Sequence, residues 1–279
     1  MRIWLVYDQA HIPRNRFFID RWIDAGRERG LSVAVVTREE MAWGIREGRL
    51  YLSAKTQASL PGCVVMRAAA PLLSKHFEGM GIPVFNNARL SHICNDKRLT
   101  HQFAAGLVPM MDTVFLNSGE TQCPLPYPAV VKAARGNGGR LVFLAEDDAS
   151  FRLALEKIAP DDALAQPLSD TPGKDVRVYM LGDTVVQSMM RVSKTDFRSN
   201  MGLGADTFPW DPGEGILATA RDFARRLGAG LIGVDFLFHR GQLMFNEIED
   251  AVGTRMLYTL GERDVVRDYL SFILDKLDS

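Results

Sequence analysis

Residues 231–253 of the chain read LIGVDFLFHRGQLMFNEIEDAVG, and this stretch decides which fold the sequence can adopt. Two apolar runs, LIGVDFLF and QLMFNEIE, flank a short connection that contains glycine, which predicts a pair of neighbouring strands. Side chains alternate along a strand, so Asp235 projects from the face opposite its apolar neighbours. The second run ends in acid, and Glu247 and Glu249 share one face of their strand.

The connection between these strands sets which residues face each other. A connection of odd length places Asp235 across from Glu247, whereas a two-residue turn places it across from Asn246. We predict an odd connection or a bulge, which brings three carboxylates to one side of the strand pair. Strict alternation also places Phe245 on the face of Glu247 and Ile248 on the opposite face.

Three carboxylates at this spacing raise one another's pKa unless a cation lies among them. Mg²⁺ favours oxygen ligands and commonly takes one or two carboxylates together with substrate phosphates. The residues alone leave two interpretations open with equal weight. The cluster is either a metal site or a solvated strand end that pairs with surface lysines.

Length, composition and charge exclude several classes of protein. The chain has 279 residues, 47% of them hydrophobic, and a net charge of -1, so it can form more than one core. A charge this close to zero gives no general attraction to nucleic acid or to an anionic membrane. The opening residues, MRIWLVY, are too short for a signal segment, and no run of about 18 apolar residues follows. We therefore expect a cytoplasmic protein whose partners include neither nucleic acid nor membrane, and leave its oligomeric state open.

Three widely spaced cysteines, Cys63, Cys94 and Cys123, support neither a disulfide framework nor a zinc site. We expect them to be reduced thiols packed inside the protein.

The order of the predicted elements indicates α/β structure followed by α+β structure. RIWLVY, an amphipathic helix that ends at Gly30, and LSVAVVT predict a parallel βαβ unit. Short strands with glycine-rich turns follow. The last third has two strands around the turn at 182–183, a long loop over 193–215, a helix, the acidic strand pair and a closing helix. We predict three parts, at 1–93, 94–167 and 168–279.

A lysine and a glycine-rich turn form a second candidate site. Lys132 follows Val130 and Val131 in a predicted strand, and RGNGG comes shortly afterwards at 135–139. Glycines let backbone N–H groups converge on an anion, and a strand lysine can reach the same phosphates. The spacing matches neither a Walker A motif nor GxGxxG. Taken alone, the stretch is more typical of a hairpin turn beside a lysine that extends to solvent.

Cationic residues are frequent in the same third of the chain as the acidic strands. They are Arg177, Arg191, Lys194 and Arg198, with Asp175 and Asn200 close by in sequence. Each arginine alone is typical of a surface strand. Together with the acidic pair of strands, the set favours binding of a polyphosphate with metal ions.

These stretches resemble a known family. NDKRLTHQFAAGLVPMMDT around Lys97, Lys132 with its glycine loop, ALAQPL, DVRVYMLGD, DFRSN and GVDFLF with LMFNEIEDAVG have the order and spacing of ATP-grasp enzymes. From about His92 onward the chain is most similar to RimK-type carboxylate–amine ligases. The resemblance implies that 94–167 is a central lid subdomain and that 168–279 is a C-terminal mixed sheet with helices.

The resemblance also implies roles for individual residues. Lys97 and Lys132 are expected to contact the ATP phosphates, and the terminal phosphates are expected to contact Arg198, Ser199 and Asn200. Adenine is expected to contact Gln166, Pro167 and Leu168, and the ribose side to contact Asp175. The expected metal ligands are Asp235, Glu247 and Glu249. Arg198, Lys132 and Arg191 form the implied catalytic set. Glu249 stands where RimK-type members usually have asparagine, which leaves Mg²⁺ and Mn²⁺ both open, and Pro167 has no N–H to offer adenine.

The implied reaction joins a carboxylate to an amine. A substrate carboxylate attacks the γ-phosphate of ATP, giving an acyl phosphate and ADP, and the amine then displaces phosphate. The substrates are small molecules or peptides, and Arg67 and Arg255 are candidates for holding a substrate carboxylate. Two alternatives remain: an ATP-grasp kinase acting on a small molecule, and an ATP-binding regulatory protein with little turnover.

Overall fold

The computed structural model of the protein describes residues 1–117, 119–136, 138–199, 204–259 and 263–278. The strands are β1 (Arg2–Tyr7), β2 (Ser32–Thr37), β3 (Met41–Arg46), β4 (Arg49–Ala54), β5 (Cys63–Met66), β6 (Val84–Phe85), β7 (Val114–Leu116), β8 (Ala129–Ala133), β9 (Val142–Ala145), β10 (Ala163–Pro167), β11 (Lys174–Leu181), β12 (Thr184–Val192), β13 (Asp206–Pro209), β14 (Leu231–His239) and β15 (Gln242–Glu249). The helices are α1 (Ile12–Glu28), α2 (Pro71–Gly79), α3 (Ala88–Cys94), α4 (Lys97–Ala104), α5 (Asp148–Ile158), α6 (Glu214–Leu227), α7 (Arg255–Thr259) and α8 (Val265–Asp278).

The first sheet has the strand order β2-β1-β5-β6 and is parallel throughout, as the βαβ pattern predicts. Its core includes Leu5 on β1 and Trp22 on α1, but also Tyr269 and Ile273 on α8. The C-terminal helix therefore packs against the N-terminal sheet. The domain boundaries at 93 and 167 stay predictions, because hydrophobic contacts join the two ends of the chain.

The second and third sheets are antiparallel. The second has the order β7-β10-β8-β9 and is covered by α5, whose Phe151 is fully buried. The third has the order β13-β12-β11-β14-β15, and α6 inserts Phe223 and Leu227 against it. The predicted α/β and α+β class is confirmed. In this arrangement Lys132 lies on β8 of the second sheet and the acidic strand pair is at the end of the third.

Several elements were missed by the sequence analysis. The hairpin of β3 and β4 turns at Glu47 and Gly48, whose φ values are 51° and 74°, and glutamate is an unusual residue in that conformation. β13 lies within the predicted loop 193–215, where it forms the edge of the third sheet by pairing with β12. β7, α3 and α7 are short and gave no clear periodic pattern.

Within the described ranges, none of the helices combines the length and apolar character that crossing a membrane requires. The cellular compartment of the protein stays a prediction.

The three cysteines differ in burial. All are free, with Cys63 fully buried and Cys94 and Cys123 partly buried, so the prediction of buried thiols holds fully only for Cys63. Burial raises the pKa of Cys63 to about 12.

Because the thiolate is the reactive form, we expect Cys63 to react with iodoacetamide at pH 8 only when the protein unfolds, and Cys123 to react in the native state. Peptide mapping after timed labelling measures both rates. Equal native rates at the two sites would contradict this expectation.

Candidate functional site

The acidic strand pair has the register predicted from the sequence. Its turn is formed by two residues, Arg240 and Gly241, both with positive φ, and His239 pairs with Gln242. A bulge after Asp235 then shifts the pairing by one residue, so that Asp235 faces Glu247. The bulge that we predicted as one of two solutions is thus confirmed, and the turn itself is not of odd length.

The same bulge corrects the assignment of faces. Phe245 pairs with Phe236 and is fully buried in the core together with Ile248, so the prediction that it shares the face of Glu247 is wrong. Strict alternation fails because Asn246 is the extra residue of the bulge. Its side-chain oxygen accepts a hydrogen bond of 2.9 Å from Lys132 Nζ. The bulge therefore links the acidic strands to the lysine of the second sheet.

Arginine side chains lie between the carboxylates. Asp235 is 1% exposed and accepts hydrogen bonds from Arg177 Nε at 2.7 Å and Nη2 at 2.6 Å, and from Arg191 Nη2 at 2.7 Å. Arg191 also forms two hydrogen bonds of 2.5 Å with Asp175, and Arg177 Nη1 lies 2.5 Å from Glu249 Oε2. The charges alternate in sign along this row of five residues, which we call the charge ladder. In this structure the positive charge that the neighbouring carboxylates require is supplied by Arg177 and Arg191.

The charge ladder controls the protonation of its acids. Burial raises the pKa of Asp235, but the charges and hydrogen bonds of Arg177 and Arg191 outweigh it and lower the pKa to about 2. Burial keeps the pKa of Glu249 raised even though Arg177 opposes the effect. Asp235 is therefore held as a carboxylate, while burial raises the pKa of the two acids at the ends of the ladder, Asp175 and Glu249.

A glycine allows Arg177 to reach both acids. Gly233 pairs with Glu249 on the neighbouring strand. A Cβ atom at Gly233 would lie 2.8 Å from Val252 Cγ2 and 3.1 Å from Arg177 Cδ, so any larger residue would displace the arginine. The glycine of the GVD stretch is thus explained by the close approach of the guanidinium side chain.

The metal assignment of Asp235, Glu247 and Glu249 stays a prediction. In the part of the chain that the structure describes, no group of three or more His, Cys, Asp or Glu side chains is arranged to hold a metal ion. The donor chemistry nevertheless fits a hard divalent cation, since carboxylate residues of neighbouring strands, Asp235 and Glu247, pair with each other. Glu249 Oε2 is also buried and lacks a properly oriented hydrogen bond, despite its contact with Arg177.

A cleft of about 910 Å³ brings most of the predicted residues together. Its lining includes Lys97, Lys132, Gln166, Pro167, Leu168, Asp175, Arg191, Arg198, Ser199 and Glu247. Of the predicted site residues that the structure describes, Asp235 and Glu249 do not line the cleft. Asn200 lies outside the described residues. Most of the residues predicted from the sequence therefore line one cleft. The roles that the resemblance implies for them stay predictions.

The cationic side chains that were predicted to bind phosphate contact the glycine-rich turn and the acidic strand. Lys97 Nζ donates to the carbonyl of Gly136 at 2.8 Å and lies 3.8 Å from Glu247 Oε2, and Arg198 Nη1 donates to the carbonyl of Gly139 at 2.7 Å. Burial lowers the pKa of Lys132 to about 8, with Glu247 opposing the effect. Cations from three parts of the chain thus converge at one end of the cleft.

Strand β10 and Leu168, the residue after it, make polar contacts that the sequence did not indicate. Gln166 is 2% exposed and its Nε2 donates to Thr113 Oγ1 at 2.8 Å, while the N–H of Leu168 donates to the carbonyl of Pro128 at 3.2 Å. His101 Nε2 is 3.4 Å from Gln166 Nε2. Burial, together with the charges of the nearby lysines, lowers the pKa of His101 to about 3, so this histidine is neutral. A lone histidine in a helix gave no signal from which this position could be found.

The chain is similar to a family of known proteins. A family model described as a RimK-like ATP-grasp domain matches residues 116–271. The chain is 31% identical over 210 residues to N-acetylaspartylglutamate synthase A of Mus musculus, covering 67% of this chain and 53% of that protein. It therefore spans about half the length of that relative. It is 30% identical over 251 residues to a probable alpha-L-glutamate ligase of Xanthomonas oryzae pv. oryzae, covering 84% of this chain and 85% of the relative.

A solved structure shares the whole fold. D-cycloserine synthetase DcsG superimposes with a TM-score of 0.76, covering 99% of this chain and 100% of that chain at 15% sequence identity. At this identity the likeness concerns the fold alone. The two-part ATP-grasp architecture behind an N-terminal α/β sheet is thus confirmed.

The charge ladder predicts strong coupling between Arg177 and Glu249. Arg177→Gln leaves buried carboxylates under-neutralised, so we expect the free energy of unfolding to fall by about 3 kcal/mol or more. Adding Glu249→Gln should restore part of this loss, with a coupling of about 1–2 kcal/mol. Urea denaturation of the single and double variants measures both values. Arg16→Gln, which removes an exposed ion pair with Asp20, is the control and should change stability by less than about 1 kcal/mol. An Arg177→Gln loss no larger than the control would refute the ladder.

His101 predicts a loss of stability in mild acid. Its folded pKa of about 3 lies below the ordinary value of 6.5, so its contribution is complete above pH 6.5 and is lost as the pH falls toward 3. Between pH 7 and pH 5 this amounts to about 2 kcal/mol. Denaturation at both pH values should show that His101→Gln removes this part of the pH dependence. The exposed His92→Gln should retain it, and an unchanged pH dependence in His101→Gln would contradict the assignment.

Proposed function

Because this chain belongs to the family of proteins with a RimK-like ATP-grasp domain, we propose that it is an ATP-dependent carboxylate–amine ligase. A substrate carboxylate attacks the γ-phosphate of ATP, an acyl phosphate and ADP form, and an amine displaces phosphate to give an amide. The observation that supports this most directly is the meeting of Lys97, Lys132, Arg198 and Glu247 in a single cleft.

The cationic side chains of the cleft bind and orient the phosphates. Lys132 reaches the cleft from a buried strand position, where its charge is costly and a phosphate would compensate it. Lys97 and Arg198 now donate to carbonyls of the glycine-rich turn, and the same donors serve phosphate oxygens. Positioning together with neutralisation of charge lowers the barrier for phosphoryl transfer.

The acidic strand supplies oxygen ligands for the divalent cation that accompanies ATP. Glu247 lines the cleft, is partly exposed and lies 3.8 Å from Lys97, so we assign it as the principal ligand, with Glu249 and Asp235 beside it. The bound ion, Mg²⁺ or Mn²⁺, supplies neutralisation of phosphate charge. Arg177 and Arg191 hold Asp235 in place and keep it ionised.

The names of the relatives suggest the class of substrate. The mouse relative is named N-acetylaspartylglutamate synthase A, and the Xanthomonas relative is named a probable alpha-L-glutamate ligase. Both names contain an acidic amino acid. We therefore propose that small carboxylates and amines, with glutamate as the first to be tested, are the substrates of this chain.

Product analysis tests the proposal. With ATP and Mg²⁺, we expect ADP release only when a carboxylate and an amine are both present, and an amide product of the corresponding mass. Lys132→Met and Glu247→Gln should each lower kcat by about 100-fold or more, because each removes charge from the phosphate site. Lys75→Met, on an exposed lysine of α2, is the matched control and should leave kcat unchanged.

Two results would count against a ligase. ADP release with a single substrate and a phosphorylated product would indicate a kinase. ADP release that is absent in every mixture, or unaffected by Lys132→Met, would remove the basis of the proposal.

A further inference from the structure

Arg67 lies directly after β5, at the carboxyl end of the parallel first sheet. The backbone N–H of Arg67 donates to the carbonyl of Val6 at 2.8 Å. Arg67 therefore lies beside Tyr7, the last residue of the neighbouring strand β1. Open crevices at the carboxyl ends of parallel strands are where α/β sheets bind ligands. This position is separate from the residues that line the nucleotide cleft.

The guanidinium of Arg67 is buried without a counter-ion. The side chain is 7% exposed, and it forms no ion pair with any residue in the described ranges. Its Nη2 donates to the carbonyls of Ala251 at 3.2 Å and Val252 at 2.8 Å, its plane lies 4.7 Å from the ring of Phe18, and its Nε has no partner. Buried arginines are normally bonded directly to an acid. Here the hydrogen-bond partners are neutral carbonyls, and the carboxylate of Asp250 acts on Arg67 only through its charge.

A second unpaired donor lies beside it. The hydroxyl of Tyr7 is buried and its proton has no acceptor among the described residues, while the guanidinium of Arg67 lies close enough to act on its oxygen. Burial raises the pKa of this hydroxyl while the charge of Arg67 opposes the shift, so it is a proton donor at neutral pH. The nearby carboxylate of Asp250 is already occupied, because it accepts from Asn95 Nδ2 at 2.8 Å and from the N–H of Ala251 at 2.8 Å.

We propose that Arg67 and Tyr7 form a subsite for a carboxylate of the substrate that takes no part in the reaction. An anion at this point would bond directly to the guanidinium and would accept from Arg67 Nε and the Tyr7 hydroxyl, which otherwise have no acceptor. The inference deepens the proposed function, on which it rests for the identity of the ligand as a ligase substrate.

The distance to the acidic strand fits a small substrate. Arg67 contacts Val252, which follows Glu249 by three residues, and three residues span about 11 Å at most. The subsite is thus within the length of a small amino or dicarboxylic acid from the metal-binding strand. Its ligand is either the α-carboxylate of an amino-acid acceptor or the second carboxylate of a dicarboxylate donor.

Binding measurements without nucleotide separate these two sources. Calorimetry compares the binding of each acid with that of its amide. L-Glutamate and its α-amide test an acceptor carboxylate, and glutarate and its mono-amide test a donor carboxylate. The variants are Arg67→Gln and Tyr7→Phe, with Arg29→Gln, an exposed arginine at the end of α1, as the control. Tyr7→Phe removes a hydroxyl whose proton has no acceptor, so we expect little change in Tm, and this variant tests the subsite even if Arg67→Gln fails to fold.

We expect wild type and Arg29→Gln to bind one acid about 10- to 100-fold more tightly than its amide, and both subsite variants to lose most of this preference. The pair of probes that shows the preference identifies the source of the carboxylate. A wild-type protein without any acid-over-amide preference, or variants that change Tm but keep the preference, would overturn the subsite. Acid binding that depends on Arg67 in a protein that makes no amide would retain the subsite and reject the ligase.

Discussion

Pairing of buried charge is the constraint on which the site depends. Asp235 is 1% exposed, and a carboxylate at such a position is stable only with cations in direct contact. Arg177 and Arg191 supply them, and Gly233 leaves the space through which Arg177 reaches both Asp235 and Glu249. The sheet of strands β11, β12, β14 and β15 is therefore both a hydrophobic layer and a frame that fixes an ordered row of charges.

Much of the fold could be predicted because hydrophobic periodicity determines it. The parallel first sheet, the strands around the 182–183 turn and the acidic strand pair were all recognised from alternation and turn residues. The β3–β4 hairpin was missed since Glu47 takes a positive φ that its residue type does not indicate. β13 was missed because pairing with β12, rather than its own four residues, makes it a strand.

The candidate site was predictable in its membership but not in its contacts. The residues alone suggested that Arg198 and the acidic strand of Glu247 share a polyphosphate site, and the resemblance to a family added Lys97 and Lys132 to it. The pairing of Arg177 with Glu249 and the position of the bulge at Asn246 depend on side-chain packing across strands, which no local pattern encodes. His101 and Arg67 acquire their character from burial and from the charged groups around them, and these surroundings are a tertiary property.

The central claim is that this cleft holds ATP with a divalent cation between the lysines and the acidic strand. A crystal structure with Mg²⁺ and a non-hydrolysable ATP analogue tests it most directly. The account predicts phosphate oxygens within hydrogen-bond distance of Lys97 and Lys132, and an ion about 2.1 Å from a Glu247 oxygen. An analogue bound elsewhere, or phosphates in the cleft with the ion remote from Glu247, would contradict it.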